Sequence, residues 1–275
     1  IVILAIAAVG LNLILGFGGL VSFGHAMYVG IGAYAVGILS FYGIGNGWAQ
    51  LAAALLVGTA VAVPVGFVCL RTSGVAFIMI TLASGQMLYF ILVGLMYYGG
   101  DDGLAIEVRN KLPGIDLRHP VVYYYLCVAL LFAWVLACRR LVGSRFGMAL
   151  RSLKQNRRRS IALGLAPLRY QLVAFAVSAA GTGLAGVLWA NYALFVSPDM
   201  TSWQKSGELM AMVILGGMGS IFGPVVGASV FLGLEQVLTG WTEHWMLVMG
   251  PVLVLIVLFG RRGLYGLVIP QRHHD

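Results

Sequence analysis

Ser22 and His25 lie three residues apart in "GFGGLVSFGHAMYVGIGAY", residues 16–34. A hydroxyl beside an imidazole can serve nucleophilic catalysis, and an imidazole can also bind a metal. The rest of the chain supplies no partners for either chemistry. There is no G-x-S-x-G elbow and no H-E-x-x-H pair; His119, His244, His273 and His274 fall near loops or in the tail. Cys69, Cys127 and Cys138 lie in apolar runs without C-x-x-C or metal spacing, which reads as small buried apolar residues. A phosphate-cradling P-loop requires G-x-x-x-x-G-K-[ST]. The three lysines, Lys111, Lys154 and Lys205, follow Asn110, Leu153 and Gln204 instead. The expectation is therefore a non-enzyme with no catalytic residue, no metal and no ATP site of its own.

What remains is polar chemistry inside apolar segments. An ionisable group in a bilayer costs about 2.5–3.5 kcal/mol on insertion scales, so each one marks a candidate site. Glu208 is expected near the outer end of one apolar run and Glu235 toward the outer end of the next. Asn12, Ser22, His25 and Glu235 are the candidates for a solute path. Interhelical hydrogen bonds are the competing reading for Asn12, Ser22 and His25, as for Thr81, Ser84, Gln86, Ser178, Thr182 and Asn191. No membrane-centred chain of carboxylates and histidines, as an ion-driven pump would need, is apparent.

The elements that must position these residues are membrane helices. The 275 residues are 60% hydrophobic and 9% charged, against about 25% charged in soluble domains. The net charge of +8 sits between apolar runs rather than on a solvated face, which argues against nucleic acid. About nine apolar segments follow one another: 1–16, 24–41, 48–70, 75–98, 120–140, 170–193, 205–219, 222–239 and 244–260. Several approach the ~20 residues that cross a bilayer as a helix; the first and seventh are shorter and are expected to be truncated, tilted or broken. The runs lack period-two alternation, so the fold class is all-α: one polytopic bundle over 1–275, with some helices short or broken at Gly-rich turns.

Alternating the segments from a cytoplasmic end of the first places Arg71, nine basic residues between 139 and 169, and Arg261, Arg262 and Arg272 inside, thirteen of the 17 Lys and Arg. That satisfies the positive-inside rule. Arg109, Lys111, Arg118 and Lys205 fall outside, the first three in a nearly neutral periplasmic loop over 99–119. The C-terminus is then cytoplasmic, and a cytoplasmic natural N-terminus would need one further helix upstream of Ile1, giving ten spans.

In this layout "GFGGLVSFGH" is the cytoplasmic-side turn between the first two segments. Gly16, Gly18 and Gly19 permit close backbone approach, and Ser22 is the expected N-cap of the next helix. Ala26/Gly30 and Ala33/Gly37 offer small-residue packing at four-residue spacing. The turn is either a packing device holding a satisfied histidine or irregular backbone bordering a solute path. A second cluster, "LGGMGSIFGPVVGASVFLG" over 215–233, shares its glycines, serine and Phe-Gly, a weak sign of an internal repeat. Residues 139–170 form the only long inside loop, with helix-forming stretches at 146–155 and 157–163 and stops at Gly164 and Pro167. Contact with anionic lipid would explain its charge. The apolar run Ile161, Ala162, Leu163 favours a helix docked into a partner.

"GLNLILGFGGLVSFGHAMYVGIGAYAVGIL", "SLKQNRRRSIALGL", "YQLVAFAVSAAGTGLAGVLWA" and "GGMGSIFGPVVGA", in that order, resemble the inner-membrane permeases of bacterial branched-chain amino acid ABC importers, the LivM-type subunit. "YYGGDDGL", residues 97–104, resembles the family's outer Gly-Gly segment. The resemblance implies a multi-pass permease domain in the bacterial inner membrane, paired with a second, LivH-type permease. It also implies two cytoplasmic ATPase subunits that bind the ATP, and a periplasmic solute-binding protein. It places a coupling helix in the loop over 141–169 and assigns ATPase coupling to Lys154, Gln155, Asn156, Arg157, Arg158, Arg159, Ala162 and Gly164. The family's usual acidic residues are absent here, where the run reads Arg157-Arg158-Arg159-Ser160. Related permeases serve urea, short amides or aromatic acids; a secondary transporter or channel is the alternative of a different class.

Overall fold

The first eight apolar segments each become a helix. A computed structural model describes residues 1–106, 109–110, 119–241, 247–251, 254 and 263–264. Helix α1 (Val2–Asn12) runs directly into a π-helical turn over Leu13–Phe17, and is followed by α2 (Ala26–Phe41), α3 (Gly47–Cys69), α4 (Val75–Gly94) and α5 (Pro120–Gly143). Two short helices, α6 (Arg145–Gln155) and α7 (Arg157–Ala162), precede α8 (Pro167–Ala193), α9 (Trp203–Gly216) and α10 (Gly223–Thr239). Of the ninth expected segment only 247–251 and 254 are described. The tail residues Arg261, Arg262 and Arg272, which carried part of the expected orientation, lie outside the described residues, as do 107–108 and 111–118 of the 99–119 loop.

Local chemistry sets the boundaries. The Asn46 side chain accepts from Trp48 N at 3.0 Å and caps α3. Pro120 and Pro167 open α5 and α8, where a missing N–H costs nothing. Helix α4 stops at Gly94, short of the expected 98, because the chain tightens into a 3₁₀ turn at Met96–Tyr98 before the positive-φ pair Gly99 and Gly100. Leu104–Ala105 then pairs antiparallel with Phe195–Val196, a two-residue ladder that is the only sheet among the described residues.

Helix α8 is the hub, packed against α1, α2 and α3. In its most apolar window 61% of residues are buried, against 22% in α3, α4 and α5, whose apolar faces are left for lipid or another chain. Glycines set the α2–α8 approach: a Cβ on Gly32 would overlap the Gly183 carbonyl, and one on Gly186 would overlap that of Val29. The expected small-residue partners differ slightly, since Gly30 faces Thr201 and Gly37 faces Leu104 and Val196. At one end of the bundle Phe41, Tyr42, Tyr97 and Tyr98 form a cluster of edge-to-face rings, an arrangement suited to a membrane interface. Helices α6 and α7 lie at the other end.

Candidate solute path and coupling site

The stretch between the π turn and α2 enters the interior of the bundle. His25 and Ser22 are fully buried. The Ser178 hydroxyl donates to the Gly10 carbonyl at 2.6 Å, so its oxygen accepts from His25 Nε2 at 2.7 Å. Ser22 Oγ stands 3.3 Å from His25 Nδ1, which leaves the ring's second nitrogen as the acceptor. Tyr28 and Phe175 meet the imidazole edge-to-face at 5.2 and 5.4 Å. His25 thus ties α1, α2 and α8 together.

Ser22 does not cap α2. The helix begins at Ala26, too far along for the Ser22 hydroxyl, and Ala26 N donates instead to Ser206 Oγ of α9 at 3.0 Å. This cross-helix cap fixes depth. Ser178 lies eleven residues from Pro167 and fifteen from Ala193, near the middle of the 27-residue α8. His25 pairs with Ser178, so α2 starts at mid-bundle, and so does the first turn of α9. The turn expected at the cytoplasmic side is therefore re-entrant.

Lys205 and Glu208, expected at the outer side, accordingly sit level with Ala26, where their side chains pair at 2.8 Å. The cause is the connection from α8. After Ala193 the chain folds back through Phe195–Val196 and a 3₁₀ turn at Pro198–Thr201, and Gly30 leaves room for Thr201. The 14 residues of α9 span about 21 Å, short of the ~30 Å hydrocarbon core. Glu235, half-buried on α10, lines a separate cavity of about 750 Å³ with Arg109, Tyr123 and Gln236.

The two glycine clusters meet at the opposite end from the aromatic rings. Asn12 Nδ2 donates to the Ser220 carbonyl at 2.8 Å, and Gly219 N donates to Asn12 Oδ1 at 3.2 Å. A Cβ on Gly16 would overlap Asn12 Oδ1 and lie 2.5 Å from Gly219 N, so only glycine allows this contact. The π turn widens the helix where Asn12 must reach sideways, a common role for such turns. Lys154 Nζ donates to the Gly16 carbonyl at 2.6 Å, and its stem lies over Gly19.

The loop carrying Lys154 is amphipathic. Helix α6 buries Gly147, Ala149, Leu150 and Leu153, while Arg151 reaches back to the Val142 carbonyl at 2.7 Å and satisfies the end of α5. Asn156 accepts from Arg159 N at 3.0 Å and caps α7, and Ser152 and Ser160 join α6 to α7 through their hydroxyls at 2.8 Å. Gly164, at φ +85°, ends α7 in a Schellman motif, with Gly164 N bonded to the Ile161 carbonyl and Leu165 N to that of Ser160. Gln155, Arg157, Arg158, Arg159 and Ala162 are exposed, and Arg157–Arg159 make no ion pair with any described residue. Ile161 and Leu163, 51% and 71% exposed, form an apolar tip beside them.

The family of branched-chain amino acid transport system permease components matches residues 1–257. The chain belongs to this permease family. It is 30% identical over 291 residues to the high-affinity branched-chain amino acid transport system permease protein LivM of Salmonella typhimurium, covering 97% of this chain and 68% of that protein. The LivM of Escherichia coli matches equally, with 30% identity over the same shares of the two chains. LivH of Escherichia coli is 24% identical over 285 residues, covering 95% of this chain and 91% of LivH. No solved structure shows significant similarity. The chain is thus a multi-pass helical permease subunit of an ABC importer, from a transport rather than an enzyme family.

Of the path candidates read from the permease sequence, Ser22 and His25 come together at mid-bundle, while Asn12 clasps Gly219 and Ser220 at the end of the bundle opposite the aromatic rings, and Glu235 belongs to a different cavity. Ser178, Ser206 and Thr81 prove to be the partners that hold residues 22–26, Thr81 by accepting from Phe23 N at 3.2 Å. The Lys205–Glu208 pair, expected at the outer side, is a central feature instead. The signal for it was the short seventh segment, too brief to carry its first turn to the far side.

Proposed function

We propose that this permease carries leucine, isoleucine and valine inward across the bacterial inner membrane, as the LivM-type half of a pair with a LivH-type permease. A periplasmic binding protein delivers the solute, and two cytoplasmic ATPase subunits bind ATP and supply the work through the loop over 141–169, with the C-terminus on the same side. The names of the relatives support the solute class, and similarity to both LivM and LivH supports the pairing. That this sequence holds no P-loop supports assigning ATP binding to a partner.

The observation that carries the coupling role is the hydrogen bond from Lys154 to Gly16. A partner that grips Arg157–Arg159 and the Ile161/Leu163 tip moves α7, and the Ser152–Ser160 bond passes that motion to α6. Lys154 hands it to the Gly16 carbonyl, and Gly16 lies against the Asn12 side chain that clasps Gly219 and Ser220. These contacts form a contiguous chain of hydrogen-bonded and packed groups, which supports such a route. Each link is a short contact between rigid segments, so displacement of the loop opens or closes the inner clasp.

The test is the assembled importer in proteoliposomes, with Arg157, Arg158 and Arg159 replaced by Glu. Leucine-stimulated ATP hydrolysis and uptake should collapse together while insertion of the permease is unchanged. Wild-type stimulation in that variant would reject the coupling role, and an importer whose ATPase ignores leucine, isoleucine and valine would reject the solute.

A further inference from the structure

A cavity of about 220 Å³ opens between the starting turns of α2 and α9. Leu4, Val29, Leu209 and Met212 make its apolar wall, and Asp199, Lys205 and Glu208 bring charges of both signs to it. The volume falls below the ~300–1,000 Å³ of pockets for drug-sized ligands, so it suits a single small solute. Lys205 and Glu208 flank the mid-bundle Ala26–Ser206 contact, a depth at which ionisable groups mark a functional site.

The geometry points to a binding station for a free α-amino acid with an aliphatic side chain. The station rests on the solute class proposed above and gives it a location. Lys205 is half exposed and pairs only with Glu208 among the described residues, so its ammonium has donors left for a carboxylate. The Asp199 carboxylate has no partner among the described residues and accepts the solute ammonium. Bound solute completes an alternating row: Asp199 carboxylate, solute ammonium, solute carboxylate, Lys205 ammonium, Glu208 carboxylate. The side chain enters the apolar wall. A neutral amide or urea leaves Lys205 and Asp199 unmatched, and an amine or a carboxylate alone leaves one of them so; selection against such solutes follows.

Ser197 lines the same cavity and its hydroxyl bonds to no described residue, whereas the native Cys69, Cys127 and Cys138 are buried. In the assembled importer carrying Ser197→Cys, L-leucine should slow maleimide labelling of that cysteine. 4-Methylpentanoate and 3-methylbutylamine, each lacking one charged group, should fail to do so at the same concentration. Adding Lys205→Met should raise the leucine concentration for half-protection by about tenfold or more, with Lys205→Arg recovering part of the loss. Protection by the amine as strong as by leucine, or an unchanged requirement in Lys205→Met, overturns the station. If Lys205→Met does not assemble, the comparison of the three ligands on Ser197→Cys alone decides. Leucine uptake without any protection refutes the station and spares the proposed function; an importer that neither takes up leucine nor is protected by it refutes both.

Discussion

Gly16→Ala tests the Asn12 clasp directly. The new methyl would overlap Asn12 Oδ1 and press on the Gly219 backbone at 2.5 Å; the side chain can swing away, but the backbone cannot without moving the whole bend. Displacing Asn12 forfeits its bonds to Ser220 and Gly219, at about 1 kcal/mol each. Shifting packed backbone adds about 1–3 kcal/mol, for a total of about 3–5 kcal/mol. Asn12→Ala separates the two contributions, because it removes both bonds without adding volume and should cost about 2 kcal/mol, a factor of ~30 in the equilibrium of the clasp. Gly58→Ala is the control: nothing lies within 4 Å of a Cβ there, and alanine favours the α3 helix by up to about 1 kcal/mol. The assay is thermal inactivation of the purified importer together with the ratio of leucine moved to ATP hydrolysed. Gly16→Ala should fall furthest on both measures, Asn12→Ala should lie between, and Gly58→Ala should match or exceed wild type. If Gly16→Ala behaved like Gly58→Ala, the clasp would not be a mechanical element and the route from Lys154 would lose its middle link.

Lys154→Met removes a charge-assisted bond of about 1.5–3 kcal/mol but leaves the stem over Gly19; leucine-stimulated ATP hydrolysis should drop about tenfold or more while unstimulated hydrolysis persists, as a phosphate-release assay would record. Gly32→Ala drives a methyl into the Gly183 carbonyl and should part α2 from α8 at a cost of about 1–3 kcal/mol, read as a lowered inactivation temperature that Gly43→Ala, at an open position whose φ of +74° strains only a turn, does not match.

Much of the scaffold was legible in the residues alone. Gly164 ends α7 as its residue type predicts, whereas Pro167, expected as a stop, opens α8; the stretches read as helical at 146–155 and 157–163 are α6 and α7 within a residue. Depth was not legible. Alternating the segments across the membrane puts residues 16–25 at one surface and Glu208 near the other, even with the first and seventh expected to be short or broken, because hydropathy reports that a segment is buried and not how far it travels. His25 reaches mid-bundle only because Ser178, 153 residues away, is there to receive it. Ser22 shows the same limit: its type and position suit an N-cap, but Ser206 takes that task from across the bundle. Contacts of this separation leave no periodicity in a single sequence.

The Asn12 clasp also dictates an order of assembly. Its two halves are 208 residues apart, so α1 must wait for the residues just ahead of α10 before the clasp can close. Until Ser220 is translated, Asn12 sits in or near lipid with its amide unanswered, and chains cut short before that point should be the ones that quality-control proteases remove.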